Sequence, residues 1–337
     1  MSPVLFYAFT LVIIFFVYSI LIMGLNIQFG QAGILNFAYI AFVAVGAYFT
    51  GVLSLGPPPP GSGESYILGT TLPFPLNLLL GAIAASILAV FIGLIAFRRL
   101  RSDYLAIVMI SVSIVLYDIV STNTALFDGA DGLNGVPQPF GLDPNTFLYA
   151  FSAFAGVVML LMWWISRQIS AAPLGRTFRA IRDDPDVARA LGKNVFRYQM
   201  LALVIGAFYA GLGGGLLMEF IGAFNTSGWT SGETFVIFAA LIIGGRGSNL
   251  GSLAGALIVP VIFVELSRYL PQIASRPDLV PDIRNVLIGV LLIGTLWFRP
   301  QGLIPEPRRR FKRLLRGMAR SRLGGGGPTQ AGAAKGD

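Results

Sequence analysis

Between Met23 and Ala38 the sequence GLNIQFGQAGILNFA sets four side-chain amides, Asn26, Gln28, Gln31 and Asn36, among the glycines Gly24, Gly30 and Gly33 in an otherwise apolar stretch. Glycines loosen a helix, and amides can satisfy the backbone groups that a break sets free. Inside a bilayer that combination is tolerated only where it is buried in protein or faces water. The spacing therefore predicts a broken helix. Either Asn26, Gln28, Gly30, Gln31, Gly33 and Asn36 line a translocation path, or the amides join helices to one another without touching cargo.

A second constellation reads RAIRDDPDVARALGK, from Arg179 to Lys193. Asp184 is a good N-cap, Pro185 fits the first helical position, Asp186 places negative charge at the helix start, and Gly192 can take the left-handed conformation after the end. These signals bound a two-turn helix over Pro185–Leu191. Val187, Ala188 and Leu191 are expected to share one face, too small a facet to hold the helix in water by itself. It must pack, onto its own membrane domain or into a partner's cleft. A third pattern, Ala207, Gly211 and Gly215 at four-residue intervals, makes a small-residue stripe that lets another helix approach closely. The adjacent Gly213 and Gly214 leave the same helix deformable, which would serve gating.

Several mechanisms are excluded by what is missing. The chain has no cysteine and no histidine, which removes disulfides, thiolate or imidazole metal sites, and every Cys or His nucleophile or base. The phosphate-cradling motif G-x-x-x-x-G-K-[ST] does not occur, because Gly192-Lys193 is followed by Asn194. An ion-coupled carrier buries ionisable groups at mid-membrane. Here Asp118 and Glu219 fall within a turn or two of a helix end, and Asp103 and Glu265 fall at boundaries. The expectation is a protein with no catalytic residue, no metal and no cofactor of its own, hence neither an enzyme nor a self-powered pump.

These residues need elements to hold them. Of 337 residues, 55% are hydrophobic and only 12% charged, against roughly 25% charged in a soluble domain, and the mean hydropathy is +0.74. That composition predicts an all-α, polytopic integral membrane protein. A helix crosses the hydrocarbon core with roughly 20 apolar residues. Spans are read at Val4 to Met23, Gly33 to Leu55, Leu76 to Phe97, Tyr104 to Thr122, Thr146 to Ser166 and Met200 to Ile221. Thr234 to Ile243 and Val286 to Phe298 are short, and Gly251 to Leu266 contains Pro260, so the expected total is eight or nine. Val4 to Met23 is kept as a membrane helix, since no basic residue precedes it and no small-residue cleavage site follows.

The net charge of +8 is not a nucleic-acid signal, because from Arg299 to Asp337 there are ten basic and two acidic residues and the rest of the chain is balanced. Arg98, Arg99 and Arg101, seven basic residues from Arg167 to Arg197, Arg246 and the tail fall on one side. The loops Gly56 to Pro75, Asn123 to Asn145 and Gly222 to Gly232 carry no Lys or Arg. By the positive-inside rule the N-terminus is outside and the C-terminus inside. Residues 1–305 form one transmembrane domain with a 166–198 cytoplasmic loop. Residues 306–337 are expected to be a basic, Gly-rich, disordered tail whose RRRFKRLLRG would lie on anionic lipid headgroups. The proline run at Pro57 to Pro60 is an extended loop, and Asn123 to Asn145 could dock a partner.

The segment FRAIRDDPDVARALGKNVFRYQMLALVIGAFYAGLGGGLL closely resembles the cytoplasmic loop and following helix of the branched-chain amino acid ABC transporter permeases, the LivM-type subunit. GLNIQFGQAGILNFAYIAFVAVGAYFTG resembles their N-terminal signature, and FAALIIGGRGSNLGSLAGALIV with LWFRPQGLIPE resembles their Gly-rich turn and terminal motif. Together these cover most of the chain from Gly24 to Pro305; the proline run and the tail depart from the family pattern. The resemblance implies a permease subunit of an importer in the bacterial inner membrane. It would pair with a sister permease, two cytoplasmic ATPases that use the ATP, and an extracytoplasmic amino-acid-binding protein. Arg182, Asp183, Asp184, Pro185, Asp186, Ala188, Leu191 and Gly192 would then couple the ATPase to the membrane. Permeases of similar type serve urea, short amides or other amino acids, so the same machine with another cargo stays open. A self-contained channel, a secondary carrier or a membrane scaffold are the other readings of the residues.

Overall fold

The computed structural model describes residues 2–58, 63–99, 102–267 and 279–306. Pro59, Pro60, Arg101, Arg268, Arg276 and the tail from Pro307 lie outside the described residues. The helices are α1 (Pro3–Leu25), α2 (Tyr39–Leu55), α3 (Leu76–Arg99), α4 (Ser102–Thr122), α5 (Thr124–Phe127), α6 (Pro144–Ala171), α7 (Pro173–Asp183), α8 (Pro185–Ala190), α9 (Val195–Ile221), α10 (Ser231–Gly244), α11 (Asn249–Ala256), α12 (Val264–Ser267) and α13 (Leu279–Phe298). Wider π-helical turns extend α1 over Asn26–Gln31 and join α11 to α12 over Leu257–Phe263. No strand occurs among the described residues, only isolated bridges such as Leu133 with Phe224.

Among the described residues, five segments are long and apolar enough to cross a membrane: Pro3–Gln31, Leu76–Arg98, Tyr104–Thr122, Pro144–Ala171 and Val195–Ile221. Tyr39–Leu55, Ser231–Gly244, Asn249–Phe263 and Ile283–Phe298 are shorter apolar helices. The chain is thus an all-α polytopic membrane protein. Sequence boundaries shift where local chemistry intervenes. The first helix runs past Met23 into the amide-rich turn, and the helix expected from Gly33 begins only at Tyr39, because residues 32–38 leave helical geometry. Pro260 sits inside a π-helical turn, whose wider bore relieves the clash and the lost hydrogen bond that proline imposes on an α-helix.

The core is a seam of small residues. With no hydrophobic force between helices in lipid, packing is strongest where backbones approach. On α3, Ala82, Ala85 and Ala89 are fully buried, Ala82 and Ala85 facing Gly211 of α9, while Gly46 of α2 lies against the Gly211 backbone. Gly213 meets Leu21 of α1 and Gly214 meets the Val43 carbonyl of α2, so α9 is the central helix, touched on every side. The outer faces stay apolar and exposed, as at Phe91 and Ile95 of α3, Ile107 of α4, Leu160 of α6 and Ile293 of α13. Lipid is the solvent that such faces require.

The two ends of the bundle differ. At one end the Lys- and Arg-free loops close on each other. Ile67 N–H donates to the Leu126 carbonyl at 3.1 Å and Asp128 N–H to that of Ser65 at 2.9 Å. Leu133 and Phe224 exchange backbone hydrogen bonds at 3.0 and 2.8 Å. Tyr48 stacks on Phe127 with centroids 4.7 Å apart and accepts a hydrogen bond from Trp229 Nε1 at 3.2 Å. At the other, basic end lie α7, α8 and the turn at Arg246. Arg98 also lies there, its guanidinium 5.7 Å from the Phe196 ring at the start of α9.

Candidate functional site

The interrupted helix and the α7–α8 loop meet at the basic end. Asn26, Gln28, Gln31 and Asn36 are all fully buried, and each makes a side-chain hydrogen bond within the chain, although Gln31 Oε1 has no partner. Gln28 Nε2 donates to the Leu203 carbonyl at 2.9 Å, and its Oε1 accepts from Asn36 Nδ2 at 2.8 Å. Asn36 Oδ1 accepts from Ala38 N–H at 3.1 Å, an Asx turn that sets up the start of α2. Asn26 Oδ1 accepts from Gly247 N–H at 2.7 Å, and Gln31 Nε2 donates to Ser170 Oγ at 2.7 Å. Asn249 joins the same cluster, accepting from Asn26 Nδ2 and from Ser166 Oγ. In this conformation the amides tie the π-helical turn to α6, α9 and the Arg246 turn.

The loop folds as its caps dictate. Asp184 Oδ1 accepts from the N–H groups of Asp186 and Val187 at 2.9 and 3.0 Å, Pro185 opens α8, and Gly192 follows its end with φ +78°. Arg189 pairs with Asp186 on the surface. The three apolar residues do not share a face. Ala188 is 3% exposed and packs with Ile181, Val195 and Tyr198, whereas Val187 is 54% and Leu191 75% exposed. The reason is α7, a further helix within the 166–198 loop. It packs Ile181 against Ala188, so the inward side of α8 accepts only the alanine and the larger pair turns outward.

Arg182 connects the loop to the interrupted helix. Its Nη1 donates to the Gly30 carbonyl and pairs with Glu306 Oε2 at 3.1 Å, and its Nε pairs with Asp183 at 3.3 Å. Arg179 meets the other Glu306 oxygen at 3.6 Å. Gly33, at φ +74°, passes so close to this arginine that an added Cβ would stand 3.0 Å from Arg182 Cγ, which explains a glycine there. Glu306 is held by its own segment, since Leu303 and Ile304 N–H donate to the Ile243 and Gly244 carbonyls, both at 2.9 Å. One arginine thus touches the loop, the π-helical turn and the segment after α13.

Of the stripe residues, Ala207 is fully buried. A Cβ on Gly211 would stand 2.6 Å from Ala85 Cβ, and one on Gly215 2.6 Å from Leu78 Cδ1 and Thr50 Oγ1. Sequence reasoning missed Glu306, Arg179 and the depth of Glu219. Glu219 is 1% exposed and accepts from Asn77 Nδ2 and Ser54 Oγ between α2, α3 and α9. The missed helix α7 does carry a signal: Pro173 at its start followed by Leu174, Phe178 and Ile181 at helical spacing.

A bundle of apolar helices, with an interrupted helix tied through Arg182 of α7 to a loop that presents two bare aliphatic side chains, is the architecture of a multi-pass membrane protein. Residues 7–296 match the family described as branched-chain amino acid transport system / permease component, and the chain belongs to that family. It is 28% identical over 320 residues to the high-affinity branched-chain amino acid transport system permease protein LivM of Salmonella typhimurium, covering 88% of this chain and 69% of that relative. The probable LivM of Methanocaldococcus jannaschii is also 28% identical, over 87% of this chain and 91% of its own. The LivH permease of Salmonella typhimurium is 28% identical over 86% and 92%. No solved structure matches.

Proposed function

We propose that this chain is the LivM-type subunit of an importer that moves branched-chain amino acids across a bacterial inner membrane, driven by separate ATPases. It works beside a LivH-like sister permease and receives cargo from an extracytoplasmic binding protein. The observation that carries the reading is the family match over residues 7–296, joined to the exposed Val187 and Leu191 on a helix braced against the core. ATPase motion taken up by α8 passes through Ala188 and Ile181 to α7, and from Arg182 to the Gly30 carbonyl. The amides at Asn26, Gln28, Gln31 and Asn36 change partners when that turn moves, and their neutral character suits a zwitterion in transit.

Vesicles holding the two permeases and the ATPases test this directly. Uptake of L-leucine is expected only with ATP on the ATPase side and binding protein on the other. Leucine movement by this chain alone would establish a self-contained carrier instead. Orientation has its own test, because single cysteines can be introduced without background. An impermeant thiol reagent applied to intact cells should label Gly135→Cys, and should label Ala180→Cys only after the membrane is opened. Both positions are exposed, so the reverse pattern would invert the topology.

A further inference from the structure

At the end opposite α8 the fold forms a half-open cavity of about 630 Å³ between α1, the end of α9, the start of α10, the Pro260 turn and the start of α13. One wall is apolar, formed by Ile14, Leu217, Phe220 and Val236. The other brings a phenol, a carboxylate and a guanidinium into the same space, from Tyr18, Glu233 and Arg284. Asn134 and Asn225, from two of the Lys- and Arg-free loops, complete the lining on that side.

Charges taken out of water are expensive unless they are paired. Arg284 Nε is buried and has no hydrogen-bond partner. The ion pairs among the described residues are made by Arg179, Arg182 and Arg189, none of them with Glu233 or Arg284. Glu233 is fixed in the first turn of α10 and Arg284 on α13. Two opposite charges therefore share a cavity without closing on each other. A molecule with an ammonium and a carboxylate on one carbon and an aliphatic chain beyond it satisfies the carboxylate, the guanidinium and the apolar wall at once. The guanidinium fork suits the carboxylate. The volume lies within the range of small-molecule sites and exceeds what one amino acid fills, which fits a transit site that keeps water.

We propose that this cavity holds an aliphatic α-amino acid, with Glu233 taking the ammonium, Arg284 the carboxylate and the Ile14, Leu217 and Phe220 wall the side chain. The assignment rests on the permease reading above, and adds to it a cargo site within this chain at the end away from α8. A zwitterionic lipid headgroup carries similar charges, but lacks a branched aliphatic group next to them to fill the apolar wall.

The test uses the complete transporter in phosphatidylcholine nanodiscs, with Ala223→Cys at the cavity edge as reporter. Labelling by a small water-soluble thiol reagent is followed on this chain by mass spectrometry. L-leucine is expected to slow labelling, whereas isoamylamine, which lacks the carboxylate, and 4-methylpentanoate, which lacks the ammonium, are not. Glu233→Gln and Arg284→Gln should each raise the half-protecting leucine concentration about thirty-fold, with Glu233→Asp and Arg284→Lys falling between. Ile14→Trp fills the apolar half without touching a charge and should also remove protection while the complex stays assembled. Protection that survives all three of these changes, or that isoamylamine matches, overturns the site. So does loss of labelling when phosphatidylethanolamine replaces phosphatidylcholine without leucine, which would assign the cavity to lipid. Leucine uptake with no protection defeats the cavity alone, while protection without any leucine uptake defeats the importer reading alone.

Discussion

Gly211→Leu is expected to leave a chain that inserts into the membrane but does not assemble its core. The position stands where α2, α3 and α9 meet, and a Cβ alone would come within 2.6 Å of Ala85 Cβ and 2.9 Å of Ala82 Cα. Those neighbours are a helix backbone and a side chain with no freedom to turn away. Overpacking of a good core costs about 1–3 kcal/mol where side chains can shift. Here whole helices must separate, so the loss should exceed that range and rival the total stability of a domain. Gly294→Leu on α13 is the control, because nothing lies within 4 Å of its added Cβ. Thermal unfolding in detergent, read by size-exclusion of the heated sample, should show a large drop for the first change and little for the second. Equal effects would mean that the seam does not hold the bundle.

Much of this seam was legible in the sequence, since small residues four apart in an apolar helix admit few readings. The caps of α8 were legible for the same reason: Asp184, Pro185 and Gly192 each act through their own backbone neighbourhood, and local rules suffice. What could not be read was which partner each group finds at long range. The four amides promised a break, and a break is there at residues 32–38. Yet whether an amide meets water or the Leu203 carbonyl 175 residues away depends on the packing of α9, which no local rule fixes. Glu306 shows the same limit from the other side: it looked like the start of a tail, and it is the anion that both Arg179 and Arg182 meet. Helical periodicity also misassigned Ala188, because the face that α8 turns inward is set by α7 beneath it. Short helices have too few turns for their own pattern to decide orientation.

That misassignment sharpens the test of coupling. Val187→Asp and Leu191→Asp should abolish ATP-driven uptake while the permease keeps its thermal stability, whereas Ala188→Arg should lower stability first. Val187 and Leu191 are 54% and 75% exposed, so a carboxylate there is hydrated in the free permease and costs within about 0.5 kcal/mol. If α8 seats in an ATPase cleft as proposed, the same carboxylate would lose water there without gaining a partner. Burying an unpaired polar group costs about 1–3 kcal/mol in protein contexts and a charge costs more, enough to release the ATPase from a contact made by one two-turn helix. Ala188, at 3% exposure, has no room for a guanidinium between Ile181 and Val195, so its substitution damages the loop from within. Co-purification of the ATPase, leucine uptake and thermal unfolding should be measured on all three. If the aspartate variants retain full uptake and ATPase association, α8 does not dock through this face, and the exposed pair would need another partner.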